Sequence, residues 1–126
     1  MADNGVSGTI RSTLNSIQSL QSIVGAVPQL GNTSLEAQLR ATASLCISLG
    51  QHPGLLESQD SKQVVNLLER IGMYAARVKE GIETTFLTGP VNWSTCHIEG
   101  RSVSGIASYI QLLTSSVFIG AVDDAL

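Results

Sequence analysis

The chain has 126 residues, of which 43% are hydrophobic, 4% aromatic and 13% charged, and its formal net charge at pH 7 is −3. This length is typical of a single domain with a core of its own, and a composition so rich in aliphatic and so poor in charged residues excludes an intrinsically disordered protein. The negative net charge excludes a chain-wide electrostatic attraction to nucleic acid, and two cysteines are too few for a disulfide framework.

The first half of the chain is predicted to form two helices. Hydrophobic residues that recur three and four positions apart predict a helix from Val6 to Val27, which Pro28 ends. A second helix is predicted to begin after the Asn32-Thr33-Ser34 segment, because serine and threonine hydroxyls cap the free backbone amides at helix starts. Gly50 is predicted to end this helix.

The longest predicted helix runs from Ser58 or Asp60 to Leu87, and its apolar stripe extends as far as Phe86. After it, residues 89–101 are predicted to form a loop with a short extended piece at residues 91–93.

A fourth helix is predicted from Ser102 to Val122. Four amphipathic helices with short connections indicate an all-α fold. We therefore expect a four-helix-bundle-like single domain that comprises residues 1–126, with a loop around residues 89–101.

The unusual feature of the sequence is where charge is missing. The charged fraction of 13% is about half of the ~25% that is typical, and the charges are concentrated on the third helix. The outward faces of the first and fourth helices carry small neutral polar side chains. Dehydration of such side chains costs less free energy than dehydration of lysine or glutamate, and the cores of interfaces are depleted of charge for this reason. We therefore predict subunit contacts at Ser12, Asn15, Ser19, Ser22, Ser104, Ser108, Gln111 and Ser115.

Trp93 is a further interface candidate, because tryptophan is enriched at the energetic centres of interfaces. The alternative interpretation is that its ring covers the core from the loop.

Arg70 and Arg77 lie seven residues apart and share one helix edge. They are candidates either for nucleic-acid contacts that repetition in an assembly would strengthen, or for ion pairs with neighbouring glutamates.

Residues able to perform chemistry do not form a recognisable site. Cys46, His52, Cys96 and His97 are the soft metal-ligating residues, and their spacing does not match that of zinc sites. Glu80 and Glu83 share a helical face, but no second acidic pair accompanies them. We expect a protein that is not an enzyme, with no catalytic residues, no metal and no cofactor.

These observations favour a non-enzymatic, self-assembling structural subunit, of the physical type of a viral or phage coat, shell or filament protein. The alternative is a small regulatory or adaptor domain that binds a protein partner. The expected partner is a second copy of the chain, with weaker support for nucleic acid. A membrane span is disfavoured, because the uncharged segment 102–122 is interrupted by polar residues. The first residues lack the features of a signal peptide, which leaves the localisation open between a cytoplasmic and a virion-associated protein.

Overall fold

The computed structural model describes residues 6–52, 54 and 60–125, without the side chains of residues 61 and 118–125. Its four helices are α1 (Val6–Ala26), α2 (Ser34–Gln51), α3 (Ser61–Leu87) and α4 (Val103–Ala125). A 3-10 turn, Pro28–Leu30, joins α1 to α2, and a small antiparallel hairpin precedes α4, with strands β1 (His97–Ile98) and β2 (Arg101–Ser102). The prediction of an all-α, four-helix-bundle-like fold is confirmed.

Side-chain caps explain where the helices begin. The Thr33 hydroxyl accepts a hydrogen bond from the Glu36 amide, 3.3 Å away, at the start of α2. Asp60 accepts one from the Lys62 amide at 3.0 Å, so α3 starts after Asp60, one of its two predicted starts. Ser58, the other predicted start, lies outside the described residues. At α4 the Ser102 hydroxyl accepts from the Gly105 amide at 3.1 Å. Each cap satisfies a backbone donor that has no partner within the helix.

The helices pack around the core in the order α1, α2, α4, α3. α1 packs against α2 and α3, and α4 packs against the same two helices, so α1 and α4 occupy opposite corners. α1 runs parallel to α3, because Thr13 contacts the chain at Leu68 and Gly72 whereas Ser19, later in α1, shares a cleft with Glu83, later in α3. α2 and α3 are consecutive in the chain but occupy the other diagonal.

One hydrophobic core lies between the four helices. The apolar faces predicted from the periodicity converge there, and the Trp93 and Ile98 side chains close one side. The fully buried large side chains are Ile17, Leu20, Val24, Leu30, Leu35, Leu39, Leu49, Leu68, Ile71, Ile82, Ile106 and Ile110.

Two buried threonines fill positions that a purely apolar pattern would assign to aliphatic residues. The Thr13 hydroxyl donates to the Leu68 carbonyl at 2.8 Å, which ties α1 to α3. The Thr42 hydroxyl lies 3.2 Å from that of Thr114, which ties α2 to α4. Each buried hydroxyl is hydrogen-bonded, so its burial carries little penalty.

Two predictions are wrong, one about the last turn of α3 and one about the loop that follows it. Phe86 is 52% exposed, because the hairpin that follows packs against α3 at Gly81 and leaves the last turn of the helix uncovered. The extended piece predicted at residues 91–93 is not a strand. Asn92 instead starts a turn, in which its side-chain oxygen accepts from the amide and hydroxyl of Ser94 at 3.2 and 2.6 Å. Asparagine favours such local turns over strand pairing.

Candidate interaction surfaces

The neutral positions predicted on α1 are all exposed, and three of them border α3. Ser12 lines a cleft of about 610 Å³ whose α3 side includes Gly72 and Met73. Asn15 and Ser19 line the next cleft, of about 340 Å³. Both clefts include the residues Ser16 and Ala76, so they follow one another along the seam between the two helices. Ser22 is exposed beyond them. The α1 surface is therefore a shallow groove with small residues on the α1 side.

The neutral positions predicted on α4 form a convex face. Ser104, Ser108, Gln111 and Ser115 are exposed, and Leu112 among them is 62% exposed. No charged residue occurs between Val103 and Val117. An exposed leucine surrounded by serines offers apolar area with little dehydration cost around it.

The two neutral surfaces point in opposite directions. α1 and α4 lie on one diagonal of the bundle, and their buried faces both turn toward the shared core. Their exposed faces are therefore on opposite sides of the protein. A protein with two distinct contact surfaces on opposite sides can join two neighbours at once.

Trp93 belongs to the core. Its side chain is 6% exposed and lies in the cluster of buried residues at the loop end of the bundle. The burial agrees with the interpretation that the ring covers the core, and it leaves little of the ring available as an anchor for a partner. A cleft of about 290 Å³ lies beside the ring, lined also by Leu30, Val91 and Val103.

Arg70 and Arg77 are both exposed on α3. Within the described residues neither forms an ion pair, whereas Lys79 pairs with Glu83 and Arg40 pairs with Glu36, each at 3.3 Å. Pairing of these two arginines with acids of their own helix is thus not observed, and both guanidinium groups remain available to another molecule.

The hairpin is held to the helices by a cation–π contact. The Arg101 guanidinium lies 3.9 Å from the centre of the Tyr109 ring and 5.5 Å from that of Tyr74. The two rings meet edge to face, with centres 4.8 Å apart. The Tyr74 hydroxyl is buried, and among the described residues no hydrogen-bond partner faces it. Burial raises the pKa of Tyr74, and the nearby Arg101 charge partly opposes this effect.

A fourth cleft, of about 540 Å³, lies between α3 and the hairpin. Its charged and polar lining consists of Arg77, Glu80, Thr84, Thr85, His97 and Glu99. The cleft contains the Arg77 cation together with the Glu80 and Glu99 carboxylates, so charges of both signs line it.

The cysteines and histidines do not converge. Within the described ranges, no three His, Cys, Asp or Glu side chains are grouped closely enough to hold a metal ion. Burial raises the pKa of the Cys46 thiol to about 11, so it stays protonated and poorly nucleophilic at neutral pH. The Nδ1 atom of His97 lies 3.2 Å from the Thr95 carbonyl oxygen.

Among the helices of the described part of the chain, none combines the length and the hydropathy needed to span a bilayer.

Comparisons with models of known families, with curated proteins and with solved structures find no significant match.

Proposed function

We propose that this protein is a non-enzymatic structural subunit that assembles with copies of itself through the neutral faces of α1 and α4. The observation that carries the proposal is the position of these two faces, which lie at opposite corners of the bundle. The exposed side chains that α1 and α4 contribute to them are neutral, and the charges that border the α1 face, such as Lys79 and Glu83, belong to α3. Charge depletion lowers the dehydration cost of a contact, and the opposite placement lets each subunit hold two neighbours.

Assembly of this kind is heterologous. When the α4 face of one copy contacts the α1 face of the next, each new subunit exposes a fresh contact surface, and growth continues until the subunits close into a ring or extend as a filament. The convex α4 face, with its exposed Leu112, suits the shallow cleft that Asn15 and Ser19 line between α1 and α3. Coat, shell and filament subunits of viruses and phages are of this physical type.

The experiment that tests the proposal is light scattering behind size exclusion over a hundredfold range of protein concentration. We expect a mass well above the 13.2 kDa of one chain that increases with concentration, because each added subunit presents a new contact surface. A discrete small species at every concentration would contradict continued growth. Electron microscopy of the large species would then distinguish rings from filaments.

The second candidate function is a small adaptor domain, favoured by the cleft beside Trp93. Its apolar lining, from Leu30, Val91 and Val103, fits one apolar side chain of a partner. Val91→Ser on the rim, rather than Trp93→Ala in the core, is the variant that tests it. An adaptor predicts a small species in light scattering and weaker partner capture by this variant with the helical content unchanged.

A further inference from the structure

The exposed edge of α3 has the pattern of a self-complementary contact. Met73 is 57% exposed, which is unusual for a large apolar side chain. Glu69 lies four residues before it and Arg77 four residues after it, and both are exposed. Positions four apart on a helix share one edge. Neither Glu69 nor Arg77 forms an ion pair within the described chain.

We propose that two copies of the chain associate through this edge, with their α3 helices antiparallel and a two-fold axis passing between the two Met73 side chains. The two-fold rotation places Glu69 of each copy opposite Arg77 of the other. It also stacks the two exposed methionines against each other. The contact is isologous, because the same patch serves both copies.

The other charged residues of α3 fit this register. The rotation sets Arg70 opposite Ala76 and Glu80 opposite Asn66 of the second copy. Lys62, near the start of the helix, comes opposite Thr84 near its end. Lys79 and Glu83 come opposite Leu67 and Gln63. Each of these five charges faces a neutral residue, so no like charges are directly opposed in the contact, and opposite charges meet at its two symmetric pairs.

Neighbouring registers are less favourable. A two-fold axis midway between Met73 and Tyr74 would set Arg70 opposite Arg77. This register is unfavourable, because like charges repel across an interface. An axis at Ala75 would pair Arg70 with Glu80, but Ala75 is fully buried and cannot lie at the centre of a contact. Exposure and charge thus select Met73 as the centre.

The shape of the surface around Met73 supports the same arrangement. The cleft of about 610 Å³ beside Met73 is lined by Gly8, Thr9 and Ser12 of α1 together with Gly72 and Ala76 of α3. These small residues leave room for the methionine of the second copy, and the flexible thioether adapts to irregular space. This contact is separate from the α4 face and stands whether or not the larger assembly forms.

Cross-linking through position 73 tests the contact. Only a residue beside the two-fold axis meets its own copy, so Met73→Cys should give a covalent dimer under mild air oxidation. Cys96→Ser is included in every variant to remove the half-buried thiol, and Cys46 is buried. Ser44→Cys, on an exposed position of α2, measures random collisions. A Met73→Cys dimer yield no higher than that of Ser44→Cys would overturn the proposal.

Charge exchange then tests the pairing. In the Met73→Cys background, Arg77→Glu turns two attractions into two repulsions and should slow dimer cross-linking roughly 30-fold. Glu69→Arg combined with Arg77→Glu exchanges the charges and should restore the rate. Arg40→Glu, which makes the same change of charge on α2 across the diagonal from α3, should leave it unchanged.

The outcomes separate this contact from the proposed assembly. Loss of cross-linking in Arg77→Glu and its recovery in the exchanged variant support the α3 contact, whatever the mass of the wild type. An unchanged rate in Arg77→Glu, or a failure of the exchanged variant to recover, overturns it. The proposal for α1 and α4 is tested instead by substitutions on those faces.

Discussion

Ile98 of the hairpin lies so close to Gly81 of α3 that a Cβ atom at position 81 would be 2.5 Å from the Ile98 Cγ2 methyl group. Only glycine allows the hairpin to sit this close to the helix. Gly72, about two and a half turns earlier in the same helix, differs. A Cβ atom there would be 3.5 Å from the Thr13 Cα atom, an ordinary contact distance. The two glycines of α3 therefore have different roles.

Alanine at these two positions should change stability in opposite directions. Gly72→Ala should raise the free energy of unfolding by up to about 1 kcal/mol, because alanine favours the helix and fits the available space. Gly81→Ala should lower it by about 1–2 kcal/mol, because overpacking against Ile98 exceeds the same helix preference. Urea denaturation followed by circular dichroism measures both changes.

A double-mutant cycle is the control for position 81. Ile98→Ala removes the methyl group that the new Cβ would meet, so Gly81→Ala should no longer be destabilising in that background. If Gly81→Ala costs the same free energy with and without Ile98, the close approach is not the cause.

A hydrogen-bond chain across α2 and α4 predicts a second stability effect. The Thr114 hydroxyl donates to the Ile110 carbonyl at 2.7 Å, so the Thr42 hydroxyl donates to Thr114, and the Gln38 amide donates to Thr42 at 3.1 Å. Thr42→Val keeps the side-chain volume and breaks this chain. We expect a loss of about 1–2 kcal/mol in the free energy of unfolding.

Thr84→Val on the surface of α3 is the matched control for this substitution. The residue is exposed, so we expect a change within about 0.5 kcal/mol. Equal effects at positions 42 and 84 would mean that the buried hydroxyl contributes nothing beyond its shape.

The helices could be predicted from the sequence because their signals are local. The three-and-four spacing of apolar residues and the capping hydroxyl of Thr33 act within one or two turns, and the structure has helices at these places. The burial of Thr13 could not be predicted from the pattern, because threonine counts as a polar residue there. In the structure its side chain is buried and its hydroxyl donates to the Leu68 carbonyl.

The tertiary features could not be predicted in the same way. The hairpin strands have two residues each, too few to show alternation, and their Glu99-Gly100 turn lacks the asparagine or aspartate that usually marks such turns. The diagonal placement of α1 and α4 depends on which helices pack together, and periodicity contains no such information. The self-complementary edge around Met73 required the exposure of that side chain.

The buried thiol of Cys46 predicts a loss of stability in alkali. Burial raises its pKa from 9.0 to about 11, so below pH 9 the thiol is protonated in the folded and the unfolded chain alike. Between pH 9 and 11 the unfolded chain loses the proton while the folded chain keeps it, and stability falls as the pH rises. The full effect is about 2–3 kcal/mol.

Comparison of wild type with Cys46→Ala isolates this effect. Tyr74, whose pKa is also raised by burial, titrates in both proteins and cancels in the difference. We expect the stability advantage of the wild type at pH 8 to shrink by that amount at pH 11, as measured by urea denaturation at each pH. An advantage independent of pH would show that the thiol ionises equally in both states.

Charged substitutions on the neutral faces test the assembly directly. Ser19→Glu on α1 and Ser108→Glu on α4 should each weaken association at least about tenfold, because a carboxylate buried in a contact loses its hydration without gaining a partner. Light scattering at a fixed concentration measures the fall in average mass, and circular dichroism confirms that the fold is retained. Ser44→Glu makes the same change on the exposed surface of α2 and should leave the mass unchanged.

The sign of the charge separates dehydration from a specific repulsion. Ser19 shares its cleft with Lys79, Glu80 and Glu83, so a glutamate there is close to acids of its own chain. If dehydration is the cause, Ser19→Lys should disrupt the assembly as strongly as Ser19→Glu, because a charge of either sign must lose its water. If both substitutions at position 19 and the one at position 108 keep the wild-type mass, the contacts do not involve α1 and α4, since no interface core accepts an unpaired charge without loss of affinity.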